Sequence, residues 1–351
     1  MTKPKALVIL TPGFPADGND TTCIPAMQVF VRALKQSNPQ LHIIVVSFQY
    51  PFTASRYYWY GVEVIALAGK GKGQLFRLIT WQRVWQTLKK LHQKYELAGL
   101  LSFWIGECAY IGNRFAKKYS LPHHIWMLGQ DAKAGNEYVN RIKPKKESLI
   151  AISDFLANEF RINYGILPAH VIPSGIDVTL FNEGNADRDI DILGAGSLIP
   201  LKQYHLFVNI VKSLITKFPD VKAVICGKGP EMDNLKIQIA KLKLENNILL
   251  RGELPHPEVL ALMQRSKVFL HTSLYEGYST VLSEALYAGC HAVSLVKGMN
   301  NRPAQHHVPD NAEHLPDIIK ELLKNKKLVH EPVLVYPVES IAAKVAALFG
   351  H

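Results

Sequence analysis

The chain has 351 residues, of which 48% are hydrophobic and 20% charged, so it is long enough for two ordinary domains with full cores. No stretch approaches the roughly eighteen apolar residues of a membrane-spanning helix, and four widely spaced cysteines without a Cys-x-x-Cys make disulfides and a zinc site unexpected. The net charge of +11 lies wholly in residues 1–173, with 21 Lys and Arg against 10 Asp and Glu, whereas residues 174–351 hold 19 of each sign.

Residues 1–173 alternate short apolar runs with longer helical patterns. The runs predict strands buried on both faces, and they are ALVIL, HIIVVSF, VEVIAL, GLLSF, HHIWML and SLIAIS. Helices are predicted around residues 26–36, 75–94 and 109–119. Because the first run, Ala6–Leu10, is too short for the core of a signal peptide, we expect a cytoplasmic protein.

The second half of the chain repeats this pattern. Its runs are IDILGAGSL, KAVICG, NILLRG, VFLHTS and HAVSL, with helical patterns between them. Two such series predict an α/β fold of two Rossmann-like, doubly wound parallel-sheet domains that face each other across a cleft. We place them at residues 1–173 and 174–335, followed by a C-terminal helix in residues 336–351. Ligands of such sheets bind at the carboxyl ends of the strands, so the loops there are the candidate site.

Two glutamates surround the start of one predicted helix. A strand ends near Ser273, Glu276 lies on the following loop, and Ser279 or Thr280 is placed to cap a helix that carries Glu284 in its second turn. A helix N-terminus preceded by glycine suits a phosphate, and a carboxylate suits the hydroxyls of a ribose. The alternative is a solvated Glu284 and a Glu276 favoured only by the helix dipole.

The segment SLYEGYSTVLSEALYAGCHAVS resembles the Glu-x7-Glu element of retaining nucleotide-sugar glycosyltransferases of family 4, which have a GT-B type fold. Tyr278 stands where the family has Phe, His271 where it has Pro, and His291-Ala292 where it has Pro-Val. GAGSLIPLKQY resembles a second family segment, in which Lys202 matches a lysine that holds the donor diphosphate and Ser197 replaces an arginine. VICGKGPEMDNL, NNILLRGELPHPEV and HVIPSGIDVTLF resemble three further segments. The helix in residues 336–351 resembles a family segment that crosses back to the first domain.

The resemblance implies a role for each of these residues. Glu276 is expected near the transferred sugar, Glu284 on the ribose, and Lys202 against the departing diphosphate. The loop with Leu254 is expected to meet the base, and Ser197 lies beside the diphosphate. The backbone N–H groups expected to face the sugar and phosphates belong to Gly277, Tyr278, Ser279 and Thr280. Neither a metal nor another cofactor is expected, because no acidic cluster faces the proposed cleft.

The first domain offers two weaker candidates. Gly13, in the loop TPGFPADGND, allows a close approach of the backbone to phosphate or acceptor, with a plain connecting loop as the alternative. In WMLGQDAKAG, Gly129 and Asp131 match a family His-Gly-x-Asp pattern, but Leu128 stands where the histidine would be. Asp131 is therefore a candidate catalytic residue, and a helix cap is its equal alternative.

Residues 70–94 carry seven basic side chains and no acid. Leu75, Leu78, Trp81, Trp85 and Leu88 form one stripe of the predicted helix. Either this stripe faces the core, or the segment docks on an anionic membrane surface and places the protein peripherally on the inner face of a membrane. No nucleic-acid-binding motif accompanies the charge, so nucleic acid is not expected as a partner. Asp187–Asp191 precedes its strand, and we interpret it as a solvated linker.

Together these features predict a retaining, metal-independent glycosyltransferase that moves a sugar from a nucleotide diphosphate sugar to a hydroxyl of a glycan or lipid-linked acceptor. Cell-envelope glycan, polysaccharide or glycolipid synthesis is the expected setting. Two alternatives stay open on the same scaffold. One is a nucleotide-sugar epimerase or hydrolase, and the other is a binding protein without catalysis, suggested by Ser197 and Leu128.

Overall fold

The computed structural model describes residues 3–71, 73, 75–184, 187–296 and 298–351. The chain divides into two compact units, one formed by residues up to Gly175 together with Tyr336–His351 and the other by Ile176–Val335. The chain therefore leaves the first unit once and returns to it at its end. No helix in the described part of the chain is long and apolar enough to cross a membrane.

The first unit is built on a sheet whose described strands follow the order β3-β4-β2-β1-β5-β6-β7-β8. Its elements are β1 (Lys5–Gly13), α1 (Pro25–Ser37), β2 (His42–Tyr50), β3 (Ser55–Trp59), β4 (Val62–Ala66), α2 (Leu75–Lys94), β5 (Glu96–Phe103), α3 (Glu107–Tyr119), β6 (His123–Met127), α4 (Glu137–Ile142), β7 (Leu149–Ala151), α5 (Asp154–Tyr164) and β8 (His170–Val171). Chain order reverses between β1 and β5, which is the topological switch point of a doubly wound sheet.

One strand of this sheet departs from the predicted parallel pattern. β3 pairs with β4 in antiparallel register, from Ser55 opposite Ala66 to Trp59 opposite Val62. The two strands are joined by Tyr60 and Gly61, both with positive φ, the backbone of the tight turns that match the twist of a hairpin. An antiparallel edge strand on a parallel sheet is a common variation of the fold.

The second unit has a sheet in which every described strand pair is parallel, in the order β11-β10-β9-β12-β13-β14. Its elements are β9 (Ile190–Ala195), α6 (Tyr204–Leu214), β10 (Ala223–Cys226), α7 (Met232–Lys241), β11 (Ile248–Gly252), α8 (His256–Gln264), β12 (Ser266–His271), α9 (Thr280–Tyr287), β13 (His291–Ser294), β14 (His306–His307) and α10 (Leu315–Lys324). Numbered within the unit this is the order 3-2-1-4-5-6, and its switch point lies between β9 and β12.

Each face of the second sheet has its own apolar cluster. Side chains of α6, α7 and α10 pack on one face around Phe207, and side chains of α8 and α9 pack on the other around Phe269. Burial on both faces explains why β9, β10, β12 and β13 are continuous apolar runs, whereas the edge strand β11 alternates. It also leaves the carboxyl ends of β9 and β12 as the place where polar side chains gather.

The last helix, α11 (Val338–Ala347), belongs to the first unit and packs against α1. Glycines make room for it. A Cβ on Gly175 would lie 2.4 Å from Cα of Val338, and one on Gly99 would lie 2.6 Å from the ring of Phe349. These two glycines therefore fix how closely the end of the chain approaches the sheet of the first unit.

Candidate functional site

The loops that follow β9 and β12 are joined to each other at the switch point of the second unit. The N–H of Leu274 donates to the carbonyl of Leu201 at 3.0 Å, and the hydroxyl of Thr272 donates to the carbonyl of Lys202 at 2.8 Å. Lys202 ends a single 3-10 turn, Pro200–Lys202, and Gln203 then takes a left-handed conformation before α6 begins. The side chains of the two loops are thereby brought to the same edge of the sheet.

Backbone contacts between glycines hold the neighbouring loop in place. Gly227, after β10, has φ of +146°, and a Cβ there would lie 1.9 Å from the carbonyl oxygen of Gly196. A Cβ on Gly229 would lie 2.3 Å from the carbonyl oxygen of Leu198. The chain thus brings the loops after β9 and β10 into direct backbone contact, which only glycine permits.

Lys202, Glu276 and His271 form the central cluster of this edge. Nζ of Lys202 is ion-paired with Oε1 of Glu276, and Nε2 of His271 lies 3.3 Å from the same oxygen. The side chains of Lys202, Glu276 and His271 are 20%, 18% and 4% exposed, respectively. Burial would raise the pKa of Glu276, but the hydrogen bond from His271 and the charge of Lys202 outweigh it and lower the pKa to about 2. Glu276 is therefore a carboxylate at neutral pH.

The histidine of this cluster is neutral for a different reason. Burial lowers the pKa of His271, and the positive charge of Lys202 lowers it further. The hydrogen bond to Glu276 raises this pKa, but it does not outweigh the other two effects. Because an ionised carboxylate can only accept, Nε2 carries the proton. Nδ1 is buried and has no hydrogen-bond partner among the described residues.

Helix α9 starts beside this cluster, as the sequence predicts. Ser279 occupies the N-cap position, but its hydroxyl makes no capping bond and instead lies 3.2 Å from Nε2 of His271. Thr280 is the first helical residue, and the N–H groups of a first turn lie outside the helical ladder. The tie to His271 therefore fixes the Ser279 end of the loop, next to the N-terminus of α9.

Glu284 is buried on the inner side of α9 rather than solvated. Its Oε1 lies 2.8 Å from Nε2 of His256, the first residue of α8, and both side chains are largely buried. Burial would lower the pKa of His256, but the hydrogen bond and the charge of Glu284 outweigh it and raise the pKa. The contact therefore has the character of a charge-assisted hydrogen bond between two neighbouring helices.

The remaining predicted residues of this unit lie around the same loops. Ser197 is exposed just beyond β9, and Gly277 is buried between Glu276 and Tyr278. The hydroxyl of Tyr278 is hydrogen-bonded to that of Ser283 on α9. Leu254 is partly buried and packs against the apolar cluster of α8 and α9.

The two candidates of the first unit have local partners. Gly13 ends β1, and a Cβ there would make only ordinary contacts, the nearest 3.5 Å from Cβ of Tyr50. Asp131 accepts from the N–H groups of Gly129 at 2.8 Å and Ile105 at 2.9 Å, so each carboxylate oxygen holds a different loop. Burial raises the pKa of Asp131 against these two bonds. Asp131 thus ties two loops together rather than capping a helix, since Gly129 holds the N-cap position of the turn Gln130–Ala132.

Asp187–Asp191 is not a freely solvated linker. Asp189 is ion-paired with Arg265, and Asp191 with Lys267 at 2.7 Å. Arg188 donates to the carbonyls of Met263, Ser266 and Ala288. The charges of this segment fasten it to the start of β12, which a reading of the segment alone could not foresee. No group of three or more His, Cys, Asp or Glu in the described residues is arranged to hold a metal ion.

Helix α2 faces the core over most of its length and is exposed at its N-terminal end. Val84, Leu88 and Leu91 are buried, while Trp81 donates to Glu107 at 2.8 Å and Trp85 packs on Phe115. The exposed apolar side chains lie at its N-terminal end, namely Phe76, Leu78 and Ile79, at 58%, 55% and 46%. The predicted stripe thus faces the core from Trp81 onward, whereas Leu78 is exposed. The side chain of Leu75, together with Lys72 and Gln74, lies outside the described residues.

The second unit carries a recognisable family pattern. Residues 177–333 match the model of glycosyl transferases group 1. This matched region contains both loops of the site, helix α9, and the four residues Lys202, His256, Glu276 and Glu284.

Curated proteins similar to this chain are sugar transferases by name. The gpi3 subunit of phosphatidylinositol N-acetylglucosaminyltransferase from Schizosaccharomyces pombe is 28% identical over 177 residues, which cover 46% of this chain and 39% of that protein. A 2-deoxystreptamine N-acetyl-D-glucosaminyltransferase from Niallia circulans is 29% identical over 113 residues, with coverages of 32% and 28%. A Campylobacter jejuni diphospho-undecaprenol 4-alpha-N-acetylgalactosaminyltransferase is 29% identical over 161 residues, with coverages of 44% and 43%. The chain thus spans less than half the length of these curated relatives.

Solved structures resemble the chain over nearly its full length. Sucrose-phosphate synthase from Thermosynechococcus elongatus has a TM-score of 0.71 at 16% identity, covering 98% of this chain and 95% of its own. Anabaena HepE in complex with UDP and glucose has a TM-score of 0.64 at 18% identity, with coverages of 97% and 94%. Such identities establish the fold alone. They confirm the predicted α/β fold with two Rossmann-like domains of GT-B type.

Proposed function

We propose that this protein is a glycosyltransferase that moves a sugar from a nucleoside diphosphate sugar to a hydroxyl acceptor. The observation that carries the proposal is the Lys202–Glu276 pair at the switch point, inside the region that matches the glycosyl transferase model. Cleaving a diphosphate ester needs a positive group for the leaving oxygens, and Lys202 supplies one. Loss of a glycosidic bond also creates positive charge near the anomeric carbon, and the carboxylate of Glu276 suits it.

We assign the remaining donor contacts by the same reasoning. Glu284 accepts from the ribose hydroxyls, since a buried carboxylate has more acceptor sites than its bond to His256 uses. The N-terminus of α9 takes the phosphate end. The second unit thus binds the donor and the first the acceptor. The reaction is of the retaining, family 4 type: the acceptor attacks on the face from which the diphosphate departs, and the leaving phosphate takes the acceptor's proton.

The donor sugar that we propose is an N-acetylhexosamine. The supporting observation is that the relatives from fission yeast, Niallia circulans and Campylobacter are all N-acetylglucosaminyl or N-acetylgalactosaminyl transferases by name. The proposed acceptor is a glycan or a lipid-linked sugar, in the synthesis of a cell-envelope glycan, polysaccharide or glycolipid.

Binding of a bare nucleotide separates the roles of the two glutamates. Glu284→Ala should weaken UDP binding by about 1.5–3 kcal/mol, the value of a charge-assisted bond, whereas Glu276→Ala should leave it nearly intact and lower turnover. Calorimetry with UDP, GDP and ADP measures the first quantity, and transfer from UDP-N-acetylglucosamine to candidate acceptors measures the second. Equal losses of UDP affinity in both variants would contradict the assignment.

The same assay separates the alternative functions. Release of free nucleotide or an epimerised donor without an acceptor would support an epimerase or hydrolase, and binding without turnover would support an inactive binding protein. Because Lys202 supplies the positive charge in our proposal, EDTA should leave the rate unchanged. A rate that EDTA abolishes and magnesium or manganese restores would contradict this mechanism.

We also propose that the N-terminal end of α2 docks on an anionic membrane, at the inner face of a cytoplasmic membrane. Phe76, Leu78 and Ile79 are exposed there, and the basic side chains Lys70, Arg77 and Arg83 are exposed around them. Apolar side chains enter the headgroup region, and each nearby basic residue adds on the order of 1 kcal/mol. A lipid-linked acceptor would be reached from such a surface.

Vesicle co-sedimentation tests this docking. Wild type should bind vesicles with anionic lipid and not neutral ones, and binding should fall with salt because the Debye length is about 8 Å at physiological ionic strength. Changing Phe76, Leu78 and Ile79 to Ser should abolish binding, and changing Lys70, Arg77 and Arg83 to Gln should reduce it. Failure of wild type to bind anionic vesicles at low salt would exclude the proposal.

A further inference from the structure

Each glutamate of the proposed donor site is held by its own histidine. Nε2 of His256 lies 2.8 Å from Oε1 of Glu284, and Nε2 of His271 lies 3.3 Å from Oε1 of Glu276. The histidines come from different elements, His256 from the start of α8 and His271 from the end of β12. Two separate supports therefore set the positions of the two carboxylates.

His256 fixes one oxygen of Glu284. An unsupported glutamate side chain has three rotatable bonds, and restricting them on binding costs free energy. With Oε1 bound to His256, the carboxylate is already oriented on the buried side of α9, and its other acceptor positions are available to hydroxyl donors. The predicted benefit is a tighter complex with any ligand that carries the ribose, whatever is attached beyond its phosphates.

His271 supports Glu276 without cancelling its charge. The ring is 4% exposed, donates from Nε2, and has no hydrogen-bond partner at Nδ1 among the described residues. A second proton would place a buried N–H on Nδ1 with no acceptor in that part of the chain, so the geometry itself favours the neutral ring. Ser279, 3.2 Å from Nε2, links the same ring to the start of α9.

We propose that His256 and His271 are positioning residues with separable effects, His256 for the nucleotide and His271 for the sugar. This inference rests on the proposed function, since it assumes that Glu284 meets the ribose and Glu276 the sugar. The affinity for the nucleotide and the affinity for the sugar would then each depend on a histidine that touches neither part of the donor.

The test compares two affinities, one for UDP and one for UDP-N-acetylglucosamine, in matched variants. His256→Phe should weaken both ligands equally, by about 10-fold, the value of one lost hydrogen bond to a charged group. His271→Phe also releases Ser279 at the start of α9, so it should weaken UDP by about threefold or less, and it should remove most of the extra affinity that the sugar adds. His256→Gln and His271→Gln keep an amide donor near the Nε2 position and should recover most of each loss.

The controls distinguish a failure of this inference from a failure of the proposed function. His205→Gln, on the exposed side of α6, should match wild type for both ligands. If wild type binds none of UDP, GDP, ADP and their sugar nucleotides, the proposed function itself fails; if it binds one of the other two bases, that pair of ligands replaces UDP and UDP-N-acetylglucosamine in the test. If wild type binds and the glutamate variants behave as assigned, but both histidine variants lose the two ligands alike, the separation is wrong. Loss of thermal stability without recovery by Gln would mean that the histidines only support the fold, which would also overturn the proposal.

Discussion

At the scale of single residues, the charge of Glu276 is balanced by one neighbour and oriented by another. Lys202 supplies the positive charge, and neutral His271 supplies a hydrogen bond. The neutral state of His271 matters because a protonated histidine would compete with Lys202 for the carboxylate of Glu276. In the proposed reaction, Lys202 is then the group whose charge responds to the departing diphosphate, while the orientation of Glu276 is kept by the ring beneath it.

The lowered pKa of Glu276 predicts an acid-dependent loss of stability. A carboxyl group whose pKa falls from 4.5 to about 2 on folding contributes stability above its unfolded pKa and loses it as the pH falls through the folded one. The difference in unfolding free energy between wild type and Glu276→Gln should therefore shrink by up to about 3 kcal/mol between pH 4.5 and 2.

Urea titrations of the two proteins across this range measure that difference. Lys202→Met should move the loss to higher pH, because it removes the positive neighbour that keeps Glu276 ionised. A difference that stays constant from pH 4.5 to 2 would contradict the assigned ion pair.

The sequence identified the two glutamates and Lys202, since their loops follow apolar strands and match a family pattern. It could not identify their histidines. Each histidine lies on a different element from its glutamate, so the pair forms only when the chain folds. Nothing in the local sequence says which way either ring points. The sequence showed only that His271 stands where the family has proline. That difference does not indicate what the histidine does.

At the scale of elements, the loops after β9, β10 and β12 are held together by direct backbone contacts and hydrogen bonds. Two glycines allow backbone to lie on backbone, and two hydrogen bonds then tie the loop after β12 to the one after β9. The positions of Lys202 and Glu276 therefore depend on Gly227 and Gly229, which themselves carry no chemistry.

Gly227→Ala should be severely destabilising and should also weaken UDP binding. A Cβ placed 1.9 Å from the carbonyl oxygen of Gly196 forces the loop after β9 to move, and we expect a loss of at least about 3 kcal/mol. Gly252→Ala is the matched control, since it also has positive φ but no atom within 4 Å of its Cβ, and should cost about 1 kcal/mol. Urea unfolding measures both, and equal losses would contradict the argument from backbone contact.

Two features of the first unit that the sequence missed or left open share one cause, which is partial coverage by other elements. β3 was not predicted because SRYYW has a mixed, half-exposed pattern typical of an edge strand. The orientation of α2 stayed open because helical periodicity identifies a buried face only where the whole helix is covered, and α2 is covered only from Thr80 onward. Periodicity predicts burial; it does not reveal where the covering elements stop.

At the scale of the whole molecule, the alternation of strands and helices was sufficient to predict two doubly wound units. The sheet of the second unit is parallel and doubly wound as predicted, because its apolar runs are covered on both faces by the helices that flank them in the chain. The path of the last helix was suggested by the family resemblance alone. Its contacts, through Gly99 and Gly175, depend on pairs of residues far apart in the sequence.

Mutations in α11 should act on the first unit only. Ile341 is fully buried, and Ile341→Ala should destabilise the first unit by about 2–5 kcal/mol, whereas Lys344→Ala on the exposed side of the helix should change little. UDP should still raise the melting temperature of the second unit in both variants. Calorimetric scans with and without UDP measure this, and loss of the UDP-dependent shift in Ile341→Ala would contradict the division into units.

Because the chain returns to its first unit at α11, the two parts of that unit are synthesised at different times. α1 emerges from the ribosome early, but the helix that covers it, α11, is made only after the whole of residues 176–335. At about 5–20 residues per second, those 160 residues take roughly 8–32 s. During that interval the second unit can fold alone, while the side of α1 that packs against α11 stays uncovered. A nascent chain of this protein should therefore bind chaperones through its first unit, and release should follow the emergence of α11.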